Sequence, residues 1–118
     1  PPVQVTMRTA LRDVDVPGGR LRAGASAVLL IAAANRDKDA FEQGTAFDPD
    51  RGDARHLSFG GGIHYCLGAP LARLEGRIVL TELARRLVNP RLEDLTYREN
   101  RVLRGPARLV VGFDAVLE

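Results

Sequence analysis

The chain contains one cysteine, one lysine and no long uncharged apolar run. Each scarcity removes a class of protein. A lone thiol cannot form an internal disulfide, so the fold uses no oxidative staple and fits a reducing compartment. No uncharged apolar run reaches the roughly eighteen residues of a membrane helix. Residues 1–9, PPVQVTMRT, lack both the charged start and the apolar core of a secretory signal. A soluble cytoplasmic protein without a membrane association is the expectation. Charge of either sign is nearly balanced, with 17 basic and 15 acidic residues giving +2, and Lys38 is the single lysine among 16 arginines. With so weak an excess, and no basic stripe interleaved with aromatics, nucleic acid is not an expected partner.

What remains is a chain of 118 residues, 45% apolar, sufficient for one domain at most. A compact domain of that size buries roughly two-thirds of its unfolded surface when its elements are complete. Val3, Val5 and Met7 alternate with polar neighbours, which predicts a half-buried strand. Residues 17–19, PGG, form a turn signal, and RLRAG after it predicts the return strand of an N-terminal β-hairpin. The apolar run from Val28 to Ile31 predicts a buried strand, with a short helix opening over residues 32–35. Residues 44–58, rich in Gly, Asp and Pro, read as an irregular loop. The clearest element follows the cysteine: a helix with Pro70 in its first turn, ending at Asn89-Pro90. Leu71, Leu74 and Ile78 form one apolar line along it, and Ala72, Val79 and Leu83 a second, the pattern of a helix buried on two sides. The tail predicts two short strands around a turn at Arg104-Gly105-Pro106. No internal repeat or low-complexity segment interrupts this order.

The segment FGGGIHYCLG, residues 59–68, surrounds Cys66 with four glycines. Glycine permits positive φ and lets a flat ligand approach without a Cβ in the way. Cys66 stands just before the helix start, where free N–H groups and the helix dipole favour an anion. A thiolate in that place has a lowered pKa and suits a soft or borderline metal. A lone cysteine without such context is a small buried hydrophobe. Zinc fits poorly, since only Cys66, His64 and His56 are on offer, and a phosphate loop fails because Gly68 is followed by Ala69-Pro70.

FGGGIHYCLGAPLARLE resembles the haem-binding loop of the cytochrome P-450 family, Phe-Gly-x-Gly-x-His/Arg-x-Cys-x-Gly. Phe59, Gly60, Gly62, His64, Cys66 and Gly68 match, and Ala72 and Glu75 follow as the family has them. VLLIAAANRD, FDPDR and RGPARLVV extend the likeness to bacterial soluble members along the whole chain. The resemblance implies haem b, iron protoporphyrin IX, as cofactor, with Cys66 as the proximal thiolate and axial iron ligand. It implies that Phe59 packs under the ring near sulfur and that the amides of Leu67, Gly68 and Ala69 donate to it. Those bonds tune the electron donation that favours O–O cleavage. It also implies that His64 and Arg8 meet haem propionates and that Arg51 is the arginine of the family's meander. Arg73 and Arg77, at i and i+4, are candidates for docking an electron-donor protein such as a ferredoxin. Ion pairing elsewhere, or plain solvation, is the competing reading for both.

By the same resemblance the chain, residues 1–118, is the C-terminal part of a P-450 domain whose distal half is absent. Its fold class is an α+β fragment of a mainly α architecture: hairpin, haem-thiolate loop, long helix and C-terminal strands. The family's Glu-x-x-Arg pair belongs before residue 1, and Glu82 with Arg85 has that spacing only by chance. The acid-alcohol pair that delivers protons is missing. The expectation is a region of a haem-thiolate monooxygenase that oxidises a small organic substrate in the full-length form, without competence alone. The alternative is a haem-free structural or interaction module. Exposed apolar surface on an incomplete fold would favour self-association.

Overall fold

The structure is a computed structural model and describes residues 1–52 and 55–118. Asp53 and Ala54, within the predicted irregular loop, lie outside the described residues. The chain divides into two compact units, residues 1–58 with 100–104 and residues 59–99 with 105–118.

In the first unit, β1 (Thr6–Thr9) pairs antiparallel with β4 (Ser26–Leu29), and β2 (Val14–Val16) with β3 (Gly19–Leu21). The predicted single hairpin is thus a nested one. Its inner turn carries Gly18 at φ 85°, and Asp13 accepts from the Ala23 N–H at 2.9 Å, holding the inner ribbon to the outer one. Arg20 adds ion pairs to Asp13 and Asp15 at 3.4 and 3.7 Å. The alternation in the first strand has the opposite sense to the one predicted. Thr6 and Arg8 take the half-buried side, while Met7, opposite Val28, is 62% exposed. Val28 itself is 57% exposed, which corrects the buried strand. A two-stranded ribbon supplies neighbours along its edge and none over its face. The short helix α1 (Ile31–Ala34) begins one residue before its predicted start. Asn35 then reaches forward, accepting from the Leu57 N–H at 2.7 Å and donating to Ser58 Oγ at 3.1 Å.

The tail departs from the two-strand expectation. Asn100 Oδ1 accepts from the N–H groups of Val102 and Leu103, an Asx-type turn that commits this segment to the N-terminal stretch through a Val3–Leu103 bridge. The strand β7 (Pro106–Gly112) therefore pairs with β6 (Arg91–Tyr97), in the second unit. Charged residues at Arg91, Glu93 and Asp94 obscure β6 in the sequence.

The helix α2 (Ala69–Arg86) is the longest element, with Pro70 in its first turn as predicted. It stops three residues early because Leu87 and Val88 extend as β5 (Leu87–Val88) and pair with β8 (Ala115–Val116). The reversal is held by Asn89, in the left-handed region at φ 48°, whose amide donates to Asp114 at 2.9 Å. Both apolar lines of α2 are exposed within this chain, and Ala69 is the one buried apolar residue among those described. Within the helix Glu82 pairs with Arg86 at 2.8 Å, one position beyond Arg85. Among the described residues no helix is long and apolar enough to cross a membrane.

The loop before α2 is fixed by its backbone. The Cys66 N–H donates to the Phe59 carbonyl at 2.7 Å, closing residues 59–66 around a 3-10 turn at Gly62–His64. Gly60, at φ 72°, has no room for a side chain, since an added Cβ would lie 2.8 Å from the His64 carbonyl oxygen. Gly62 is at φ 56°, with open space around it. Gly61 has both extended backbone at φ −161° and open space.

Gly60→Ala is therefore expected to destabilise the closed loop by about 1–3 kcal/mol, with Gly61→Ala near neutral. Exchange of the Cys66 amide, read by hydrogen exchange, should quicken in the first variant and not in the second. Equal effects in both would contradict the steric argument.

The Asp114 carboxyl is held below its ordinary value of 3.8 by hydrogen bonds from Asn89 and Arg91. A lowered folded pKa contributes stability that is fully present above 3.8 and is lost as pH falls through the folded value. Acidification should thus free the Leu117 amide, which donates to the Arg86 carbonyl at 2.8 Å, at the end of the β5–β8 pair. Asp114→Asn should remove this acid-dependent component of its exchange.

Candidate functional site

Four backbone features place the Cys66 side chain. The carbonyl of Phe59 holds its amide, the 3-10 turn lifts the chain before it, and two left-handed glycines set the path. Helix α2 then begins three residues later. Cys66 is a free, exposed thiol. At Gly68 an added Cβ would meet only Cys66 Sγ, at 3.8 Å, so a side chain there would stand beside the sulfur. The Ala69 N–H donates to the Cys66 carbonyl at 3.2 Å, and Ala72 N–H to Gly68 at 2.9 Å, which starts the helix without a side-chain cap.

The aromatic and cationic neighbours are on one helix and one loop. Phe59 is half-buried, and its ring lies 6.5 Å from that of Tyr65 at a tilt of 59°. The Arg73 guanidinium stands 4.7 Å over the Phe59 ring centre and donates through Nη1 to Tyr65 Oη at 2.7 Å. Arg73, read from sequence as a docking residue, thus engages the protein's own loop. Tyr65 was not singled out by sequence reasoning, because it occupies a free position of the motif. Its link to Arg73 spans eight residues, part loop and part helix, so no single periodicity brings the two together. Asn35 was missed as well, although it anchors the residue just before Phe59.

The other sequence-derived candidates separate. Phe59, Gly60, Gly62, His64, Cys66, Leu67, Gly68 and Ala69 form one continuous stretch in the second unit, with Leu67 98% exposed and Ala69 buried. Arg77 is exposed one helical turn beyond Arg73. Arg8 belongs to the first unit, half-buried on β1, and donates through Nη1 to the Met7 carbonyl at 2.8 Å and to Thr6 Oγ1 at 3.2 Å. Arg51, also in the first unit, binds the carbonyls of Glu42, Gln43 and Ala46. It thereby closes the loop from which the chain runs on towards Ser58.

A haem group would fit this loop by the chemistry of its donor set. Among the described residues no three His, Cys, Asp or Glu side chains gather around a bare ion. One exposed cysteine sulfur suits a metal whose other coordination positions arrive filled, as a porphyrin fills them. The Cys66 thiol is exposed, and an added Cβ at Gly61 or Gly62 would meet nothing within 4 Å.

Comparison with known proteins bears on the same residues. The family model described as Cytochrome P450 matches residues 1–96. Cytochrome P450 119 of Sulfolobus acidocaldarius is 45% identical over 111 residues, covering 94% of this chain and 30% of that relative. Among solved structures, P450BioI in complex with hexadec-9Z-enoic acid ligated acyl carrier protein superposes with a TM-score of 0.91 at 40% identity, over 96% of this chain and 30% of that one. CYP109E1 from Bacillus megaterium, in complex with testosterone, gives 0.91 at 37% identity, over 97% and 32%. The chain spans under a third of the length of these relatives. With a family match across most of its length and strands and helix superposing on solved members, the chain belongs to the cytochrome P450 family.

Proposed function

We propose that Cys66 is the axial thiolate ligand of a haem iron and that the family-length protein is a haem-thiolate monooxygenase acting on a small organic substrate. The observation that carries this reading is the exposed Cys66 thiol, standing at the start of α2 on a loop closed by the Phe59–Cys66 hydrogen bond. When bound, the haem would supply the redox chemistry by which dioxygen, two electrons and two protons put one oxygen atom into the substrate and release the other as water. The chain's own residues hold and tune it. In this reading Cys66 supplies the sulfur ligand, beside the positive end of the α2 dipole. The amides of Leu67 and Gly68 are placed in sequence to donate towards sulfur, while that of Ala69 already serves the Cys66 carbonyl. In this reading Phe59 would pack near the sulfur, as the family's motif has it, and its carbonyl fixes the cysteine backbone. His64 and Arg8 are the propionate partners in this reading, and the planar guanidinium of Arg8 suits a carboxylate.

Cys66→Ala should abolish the red-shifted Soret band that the reduced, carbon monoxide-treated protein gives with a thiolate ligand. The circular-dichroism signal of α2 should remain, because Cys66 lies outside the helix. Persistence of the thiolate band in that variant would refute the assignment. A haem-free module would instead show no such band in the parent protein after reconstitution.

An electron-donor protein, an acidic ferredoxin in the simplest case, would meet the face that carries Arg73 and Arg77. Arg77 offers the cleaner test, being exposed and one turn from the loop contacts. Arg77→Glu should weaken donor binding about three- to tenfold at low salt, with the difference shrinking as the Debye length falls. Titration calorimetry at two ionic strengths reads this directly, and unchanged affinity at low salt would remove Arg77 from the docking face.

A further inference from the structure

We infer that Arg73 is a positioning residue for the Cys66 loop, clamping Phe59 and Tyr65 together from the first turns of α2. Its part in ligation rests on the reading of Cys66 as the haem ligand. The geometry is a closed circuit. The Arg73 guanidinium lies 4.7 Å over the ring of Phe59, whose carbonyl accepts the Cys66 N–H at 2.7 Å. The same guanidinium donates at 2.7 Å to the hydroxyl of Tyr65, the residue directly before Cys66. Both backbone approaches to the cysteine are therefore tied to one side chain that rises from the helix following it.

Arginine is the residue type this circuit needs. Its plane can lie on an aromatic face while an N–H in that plane points at a neighbouring acceptor. A lysine has one compact charge and can satisfy the ring or the hydroxyl, and it lacks a plane to do both. Tyrosine is needed on the loop for the matching reason, since phenylalanine offers no acceptor at that point. The clamp adds side-chain contact to this loop. Ile63 and Leu67 on either side are almost fully exposed, and the glycines add no side-chain packing.

The consequence concerns how firmly sulfur is aimed. A cysteine whose flanking backbone opens more often loses its thiolate bond to iron more often. In the haem-loaded full-length protein, with no electron donor present, Arg73→Leu and Tyr65→Phe should each speed the loss of the thiolate-type carbon monoxide band about fivefold. Arg73→Lys should not restore the parent rate. Omitting the donor keeps docking out of the measurement, and Tyr65→Phe, lacking one hydroxyl, guards against a general failure to fold.

A second readout needs no haem. Exchange of the Cys66 amide in the haem-free protein should quicken in Arg73→Leu and Tyr65→Phe, with effects that fail to add in the double variant. Unchanged amide exchange, or a thiolate band as durable as the parent's, would overturn the clamp. Quickened exchange in a protein whose parent form shows no thiolate band would uphold the clamp and reject Cys66 as the ligand.

Discussion

The candidate site depends on one backbone hydrogen bond, from the Cys66 amide to the Phe59 carbonyl. It brings the first residue of the motif to the cysteine and leaves six residues between them to form a closed loop. That closure demands a tight path, which the 3-10 turn and the left-handed conformations of Gly60 and Gly62 provide. The cost of positive φ to any other residue explains why the two glycines are needed where they are. Gly61, extended and unhindered, meets neither constraint. The motif is the record of a steric requirement.

Arginine side chains join several other segments among the described residues. Arg51 gathers three carbonyls, Arg73 a ring and a hydroxyl, and Arg91 pairs with Asp114 at 2.7 Å. Arg108 reaches Asp94 across the β6–β7 pair at 3.3 Å. A planar fork with five donors can serve several acceptors at once, whereas an ammonium group acts as a point charge. Most of these contacts are solvent-exposed, where a single ion pair contributes at most about 1 kcal/mol. They set geometry more than they supply stability.

Each unit is built from local ribbons and turns, and apolar side chains along β4 and both lines of α2 remain exposed among the described residues. Two-stranded ribbons of this kind are marginal by themselves. Three amide side chains tie turns within the units: Asn35 to the residues before Phe59, Asn100 to the turn beyond β6, and Asn89 to Asp114. In each case a short amide side chain replaces a backbone partner that the chain's change of direction has removed.

How far the sequence could be read follows from the range of the interactions involved. By itself it determined the glycine-rich loop, the helix start at Pro70 and the inner turn of the hairpin, because glycine and proline act through their own backbone. It also determined the family, since six motif positions stand at fixed spacing. Tertiary structure decided the partner of β7, the early end of α2 and the inward side of β1. Each of those depends on pairing with a segment distant in the chain, and a strand pattern does not name its partner. The same holds for Arg73. Its charge is evident from the sequence, but only the folded loop brings Phe59 and Tyr65 to either side of it, turning a solvent-facing cation into a contact that holds the cysteine in place.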